Sequence, residues 1–505
     1  MATAARLAVD PAFAVAPVDR RIFGSFVEHM GRCVYTGIFE PGHPAADNSG
    51  LRTDVLELTR ELGVSVVRYP GGNFVSGYRW EDGVGPTGER PRRLDLAWRA
   101  IETNAFGLNE FMDWAGKAGV EPMMAVNLGT RGIAEAAELV EYCNLPGGTA
   151  AADLRRKHGV AAPHDVRLWC LGNEMDGPWQ TGSLTAYEYG RLAARAGQAM
   201  RKVDPTIELV ACGSSNSGMP TFAAWEATVL EQAYDQVDYV SLHNYYDPLR
   251  VDPASFRASA VDLDRFIDDI IATADHVRAK LRRTKRIKLS LDEWNVWYQN
   301  DFTEPEDRPI AEEPPHLIED DYTVTDAVVV GNLLISMLRH ADRLTVGCQA
   351  QLANVIAPIR TEPGGPSWRQ TIFHPFALTS ALAHGTVLRV ALTGPEMETG
   401  RYGEVAALDA VAVHDPDRAE LVLFVVNRGE SPVPLDLDLR AFGGLAAADH
   451  VTLTDADPAA RNSAAQPDRV VPQRLTPPAC DNGRAALVLP PISWHALRFT
   501  VRASS

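Results

Sequence analysis

Two glutamates stand at the ends of short apolar runs, and their type and placement are suited to chemistry. Residues 166–179 read Val-Arg-Leu-Trp-Cys-Leu-Gly-Asn-Glu-Met-Asp-Gly-Pro-Trp, and the apolar run stops at Gly172-Asn173-Glu174. More than a hundred residues on, positions 287–295 read Ile-Lys-Leu-Ser-Leu-Asp-Glu-Trp-Asn, with Glu293 at the end of the run. A run too short for a helix and bounded by a turn signal fits a buried parallel strand that delivers a side chain to one end of a sheet. Two carboxyls presented in this way can flank one glycosidic bond, which makes glycoside hydrolysis the chemistry to consider. Taken singly, either glutamate could equally accept backbone hydrogen bonds or pair with an arginine. Asn173 has a competing reading as a turn former after Gly172.

The elements that would hold these residues alternate in type. From about residue 19 to 384, eight β-rich runs recur, at 22–27, 64–69, 122–127, 166–172, 207–212, 237–243, 287–293 and 344–351. Stretches of helical period separate them, most clearly 183–203, 262–281 and 325–340, the last with Thr325-Asp326 as its expected cap. Eight such units predict an α/β fold, a (β/α)8 TIM barrel over 19–384. Barrel chemistry gathers at the C-terminal strand ends, and nearly all of these runs end on an acid or an amide, which suits a ligand made of hydroxyl groups. After residue 385 the texture becomes strands without helices, at 405–413, 420–427, 433–439, 451–454, 484–489 and 493–501. This predicts a β-sandwich of residues 385–505, which an extended strand within residues 1–18 could join. Residues 457–472 read as a surface loop.

Composition narrows the function classes. With 48 basic and 66 acidic residues the net charge is −18, which argues against nucleic acid as a partner. The basic cluster at 280–288 reads as the solvated end of a helix. Six cysteines (Cys33, Cys143, Cys170, Cys212, Cys348, Cys480) show no Cys-x-x-Cys pairing, a usage that fits the cytoplasm. No run of about 18 apolar residues occurs, so neither membrane insertion nor export is expected. Gly83-Val-Gly-Pro-Thr-Gly88 spells a dinucleotide fingerprint, but it follows no strand and opens no helix, and is read as a loop. The 13 histidines show no metal-binding spacing; no metal and no cofactor are expected.

Several motifs together resemble a known family. They are Phe26-Val-Glu28-His29, Arg68-Tyr-Pro-Gly-Gly-Asn73, Asp82-Gly-Val-Gly-Pro, Asn104-Ala-Phe-Gly-Leu-Asn-Glu-Phe111, Asn173-Glu174, Asp292-Glu293-Trp294-Asn295 and Ala350-Gln-Leu-Ala-Asn-Val-Ile-Ala-Pro358. In this order they resemble the α-L-arabinofuranosidases of family 51 of the glycoside hydrolases, across nearly the whole barrel. The resemblance implies a retaining exo-hydrolase in which Glu174 matches the acid/base and Glu293 the nucleophile. It also implies that Glu28, Asn73, Asn173, Tyr245 and Gln351 contact the arabinofuranose, and that the chain forms a homo-oligomer, with a hexamer as the specific form. One departure is Ala353, where the family pattern implies a larger apolar residue.

The physical roles agree with that implication. An acid must be protonated near neutral pH, so Glu174 is expected to titrate high, driven by apolar surface such as Trp179 and by the charge of Glu293. Tyr245 is expected to orient Glu293, against the alternative that a strand-end tyrosine merely packs. The function expected is release of terminal non-reducing α-L-arabinofuranosyl residues from arabino-oligosaccharides and arabinoxylan fragments. The alternatives are a β-glycan hydrolase on the same frame, an endoglucanase or β-xylosidase, and a non-catalytic sugar-binding barrel. Trp494 is read as core of the sandwich. The acidic stretch 301–321, with nine carboxylates and the single arginine Arg308, is read as a solvated loop or as a lid or subunit contact.

Overall fold

The computed structural model describes residues 4–299, 302 and 307–501. Eight parallel strands close into a barrel: Gly24–Phe26, Val66–Tyr69, Glu121–Ala125, Leu168–Leu171, Glu208–Ala211, Tyr239–Tyr246, Lys288–Val296 and Leu344–Gln349. They are the eight expected from sequence, and the last pairs with the first at Cys348↔Gly24. Buried Trp169, Met123, Leu289 and Val346 belong to the core that surrounds these strands. The helices that follow the strands include Thr53–Leu62, Leu108–Ala118, Ala186–Val203, Ala260–Lys280 and Val324–Arg339. No helix among the described residues is long and apolar enough to cross a membrane.

Helix ends follow local chemistry. Thr185 caps Ala186–Val203 in a reciprocal box with Glu188. The cap expected at Thr325-Asp326 is two residues earlier: Thr323 accepts from the backbone N–H of Asp326, whose carboxylate reaches back to Thr323. Asp326 therefore fills the third helical position, where a carboxyl returns the bond, rather than following the cap. The basic cluster lies at the end of Ala260–Lys280 as expected, with Lys280 bound to Glu231 and Arg283 to Asp235.

Nine of the remaining strands form one continuous sheet with a core of its own, and the others pair in three two-stranded sheets. The N-terminal strand Ala5–Pro17 runs antiparallel to Thr386–Thr393 and, at residues 5–8, parallel to Val433–Asp438. Leu7, Leu435, Leu423 and Phe499 share the enclosed core, so two inner faces meet as in a sandwich. Thr386–Thr393 escaped the sequence reading, and Leu445–Leu453 begins earlier than expected because Ala446, Ala447 and Ala448 carry little strand preference. The opposite face, with Val411, Val422, Phe424 and Trp494, joins the barrel core. It packs against Val324–Arg339, and a side chain at Gly331 would strike the Trp494 indole at 2.3 Å. Trp494 is core, but of the face shared with the barrel rather than of the sandwich's own enclosed core. The 457–472 loop is partly built in: Ala460 and Val470 are buried, and the Ala460 carbonyl accepts from the Val324 N–H.

Candidate active site

The C-terminal strand ends converge on a cavity of about 770 Å³ whose walls include Glu28, Asn73, Glu174, Tyr245, Glu293 and Gln351. Asn173, the remaining residue expected to touch the sugar, is buried just behind it. Strand pairing sets the first contacts, because Glu293 lies opposite His243 and Asn295 opposite Tyr245. In a regular strand Asp292 and Glu293 would point to opposite faces. The pairing is irregular between Ser290 and Glu293, and both carboxyls reach the His243 ring. Oxygens of Glu174 and Glu293 and a ring nitrogen of His243 all lie within 4.8 Å of one another.

Each carboxyl has its own set of partners. Glu293 accepts from Arg68 Nη1 at 2.7 Å and from the Tyr245 hydroxyl at 2.9 Å. Tyr245 therefore bonds the carboxylate, as the orienting reading required. The other arm of the Arg68 fork reaches Asn173 Oδ1 at 2.7 Å, and the guanidinium lies over the Phe26 ring at 4.9 Å. Asn173 in turn donates to Asn73 Oδ1 at 3.2 Å and to Gln180 Oε1 at 3.1 Å. Its amide is thus a junction between two loops as well as a strand-end turn residue.

Glu174 is bonded differently. One oxygen faces His243 Nδ1 at 2.9 Å and the other accepts from the Trp179 indole at 2.6 Å. Burial raises its pKa, and the charge of Glu293 adds to the rise, against the hydrogen bonds from His243 and Trp179. The expected direction holds, but the part given to Trp179 is corrected: its indole is 48% exposed and donates to the charged form rather than desolvating it. Burial also disfavours charge on His243, yet Glu293, Asp292 and Glu174 outweigh it and push the ring up to about 10. Both its nitrogens then donate, one to Glu174 and the other to Asp292 at 2.9 Å. Asp292 is held below the usual carboxylate range, because Arg68 and His243 overcome its burial.

Glu28 closes the far side. Its Oε1 accepts from the Phe74 N–H at 2.9 Å and the Trp98 indole at 3.0 Å, and its Oε2 from Gln351 Nε2 at 3.2 Å. Burial and the nearby charge of Glu293 push Glu28 up to about 8, so that its protonated form can donate a hydrogen bond to a ligand hydroxyl. The chain between these acids is Gly71-Gly72. A side chain at Gly72 would stand 3.0 Å from Glu293 Oε1 and 3.2 Å from Glu28 Oε2. A side chain there would crowd both acids.

Among the described residues, Glu174, His243 and Glu293 are the group whose ligand atoms are close enough for a metal ion. Its members lie on three strands, so spacing along the chain could not reveal it. His243 Nδ1 is already engaged with Glu174, and one oxygen of each glutamate lies within 4.8 Å of the other.

Family models for the α-L-arabinofuranosidase C-terminal domain and the α-L-arabinofuranosidase 1 domain match residues 292–493 and 58–262. An intracellular exo-α-(1→5)-L-arabinofuranosidase of Streptomyces lividans is 58% identical over 98% of this chain and 75% of its own length. This chain belongs to the α-L-arabinofuranosidases of glycoside hydrolase family 51. A second enzyme of that name, from Halalkalibacterium halodurans, is 51% identical over 99% of both chains. An exo-α-(1→6)-L-arabinofuranosidase of Bifidobacterium longum is 52% identical over 97% of this chain and 96% of its own. The solved structure of AbfB, a family 51 α-L-arabinofuranosidase from Bifidobacterium longum, superposes with a TM-score of 0.95 at 46% identity, covering 99% of this chain and all of that one. A bifunctional glucanase-xylanase, CelM2, shares the fold alone, at 13% identity and a TM-score of 0.60 over 99% of both chains.

Sequence reasoning assigned no role to Arg68, His243, Asp292, Trp98 or Gln180 in this α-L-arabinofuranosidase. Arg68 carried the clearest signal, since an arginine inside Val66-Val67-Arg68-Tyr69 must be buried and must find carboxylates. His243 ends a strand run, which marks it as a candidate but not as a partner of Glu174. Trp98 and Gln180 lie on loops with no local pattern to report their contacts.

Proposed function

We propose that this α-L-arabinofuranosidase is a retaining exo-hydrolase that removes terminal non-reducing α-L-arabinofuranosyl residues from arabino-oligosaccharides and arabinoxylan fragments. The observation that carries the reading is the close approach of Glu174 and Glu293, with oxygens within 4.8 Å, beside the wall made by Glu28 and Gln351. Inverting enzymes hold their carboxyls about 6.5–9.5 Å apart to admit a water, whereas retaining enzymes bring them to about 5–5.5 Å. The ring to be released is held by Glu28, Asn73, Asn173, Tyr245 and Gln351. Glu293 attacks the anomeric carbon while protonated Glu174 gives its proton to the leaving oxygen. Glu174, now ionised, takes a proton from water, and the water displaces Glu293 from the sugar. Two inversions restore the α configuration.

The names of the relatives support 1→5 and 1→6 linkages as the first to test. They also support a cytoplasmic site of action, since several are named intracellular. We further propose a homo-oligomer, a hexamer in its specific form, and a division of the chain into a barrel of 19–384 and a sheet domain of 1–18 with 385–505. Light scattering on the purified protein tests the first, and limited proteolysis the second. The activity is tested with nitrophenyl α-L-arabinofuranoside, β-xyloside and β-glucoside. A strong preference for the arabinofuranoside is expected; equal rates would overturn the reading in favour of a β-glycan hydrolase.

A further inference from the structure

The cavity is larger than its chemistry at Glu174 and Glu293 requires. About 770 Å³ lies in the range of pockets that enclose a ligand of several rings. The lining includes loop residues as well as strand ends, and part of it comes from the sheet domain, at Arg401 and Tyr402. These two residues form the tip of a hairpin, Glu396–Thr399 paired with Gly403–Ala406. The tip is fastened to the barrel: the Gly400 N–H donates to Asp252 Oδ2 at 3.1 Å and the Arg401 N–H to Ser255 Oγ at 2.9 Å. Asp252 is itself the cap of the short helix Pro253–Arg257 that follows the sixth barrel strand. The backbone at the tip is therefore held against the barrel.

The facing wall is built from hydroxyl-binding groups. Asp262 Oδ2 accepts from Asn244 Nδ2 at 2.8 Å and from the Tyr246 hydroxyl at 3.3 Å. The Arg401 and Arg265 guanidiniums stand 5.8 and 5.9 Å from the Tyr402 ring centre. Guanidinium donors over a half-buried tyrosine, beside a carboxylate, an amide and a second tyrosine hydroxyl on the same cavity, are the chemistry that recognises the hydroxyls of a neutral sugar.

We propose that the sheet-domain hairpin, through Arg401 and Tyr402, together with Asp262, forms a distal site for a further neutral pentose unit of the leaving chain. The inference rests on the glycosidase reading above and gives the sheet domain a direct part in substrate choice. A substrate reaching this site would bind through a unit far from the bond that breaks, so its effect falls mainly on KM.

The test compares nitrophenyl α-L-arabinofuranoside with arabinobiose, arabinotriose and arabinotetraose. It uses the full chain, Arg401→Ala, Tyr402→Ala and Asp262→Asn. The unaltered protein is expected to gain in kcat/KM with chain length. The variants are expected to lose about tenfold on the longer oligosaccharides, chiefly through KM, with the loss on the nitrophenyl substrate staying below about twofold. Equal losses on short and long substrates, or no dependence on length in the unaltered protein, would overturn the distal site. Absence of activity on every arabinofuranoside would instead overturn the glycosidase reading, so the two failures are distinguishable. Circular dichroism checks that each variant folds, and Arg401→Lys, which keeps a charged donor on a long stem, is expected to recover part of the long-substrate loss.

Discussion

Glu174 and Glu293 end two strands of the same barrel, yet their surroundings differ in kind. Glu293 has a full cation against it, Arg68 at 2.7 Å, and a tyrosine hydroxyl on its other oxygen. Glu174 has an indole that is half in solvent and a histidine shared with two other acids. A nucleophile needs a fixed direction, and the two bonds to Glu293 supply one. An acid that later acts as a base must change its charge in each cycle. Its partners must tolerate both states, and its pKa must be raised enough to carry a proton near neutral pH. Burial and the charge of Glu293 act in that direction. The residue type is the same in the two places; the neighbours set the role.

The comparison is broken most severely at Glu293. Glu293→Ala removes the atom that forms the covalent intermediate, and kcat is expected to fall by about 10⁴-fold or more on every substrate, whatever its leaving group. Glu174→Ala loses only proton transfer. Oligosaccharides, with poor leaving groups, are expected to slow by about 10²–10⁴-fold, while an activated nitrophenyl arabinoside still reaches the intermediate. Steady-state rates on both substrate types check the pair, and equal losses in the two variants would remove the distinction.

Smaller changes sharpen it. Tyr245→Phe deletes one hydrogen bond to Glu293, and a loss of about tenfold in kcat with little change in fold is expected. Circular dichroism beside the kinetics separates this from mere packing. Trp179→Phe is the mildest. The indole donates to Glu174 and so favours its charged form; without it the pKa of Glu174 rises further. Because the first step needs protonated Glu174, the alkaline limb of kcat/KM is expected to move to higher pH. A shift to lower pH would show that Trp179 acts as the apolar cover expected from sequence.

Much of this arrangement was legible in the chain because barrel strands carry continuous apolar runs and end abruptly. The run ending at Gly172-Asn173-Glu174 announces both a buried strand and the residue that it presents. The strand Thr386–Thr393 was not legible, since its burial alternates weakly and half of it faces solvent. The partners of the acids were the harder part. That His243 bridges Glu174 and Asp292 depends on strands closing in three dimensions and on an irregular pairing after Ser290, neither of which leaves a local pattern. Trp179 was noticed for its type, but whether it would cover a carboxyl or bond to it depends on the loop that turns it. The acidic stretch 301–321 is only partly described, with 301 and 303–306 outside the described residues. Of its rest, Glu319 is no solvated charge: it is buried and bound to Arg32 at 2.7 Å and Arg360 at 3.1 Å.

The central claim, that Glu174 serves as the acid/base and Glu293 as the nucleophile, is tested most directly by azide rescue read through the configuration of the product. In Glu174→Ala an activated arabinoside forms the intermediate on Glu293, which accumulates because no base activates water. Azide needs no base. It attacks the anomeric carbon from the face that the leaving group vacated, displacing Glu293, and the product is the α-arabinosyl azide after two inversions. In Glu293→Ala azide can only occupy the space of the missing carboxylate and attack the substrate directly, a single inversion that gives the β-azide. NMR assigns the anomer in each case. The account predicts the α-azide from Glu174→Ala and the β-azide from Glu293→Ala; a β-azide from the first variant or an α-azide from the second would contradict it.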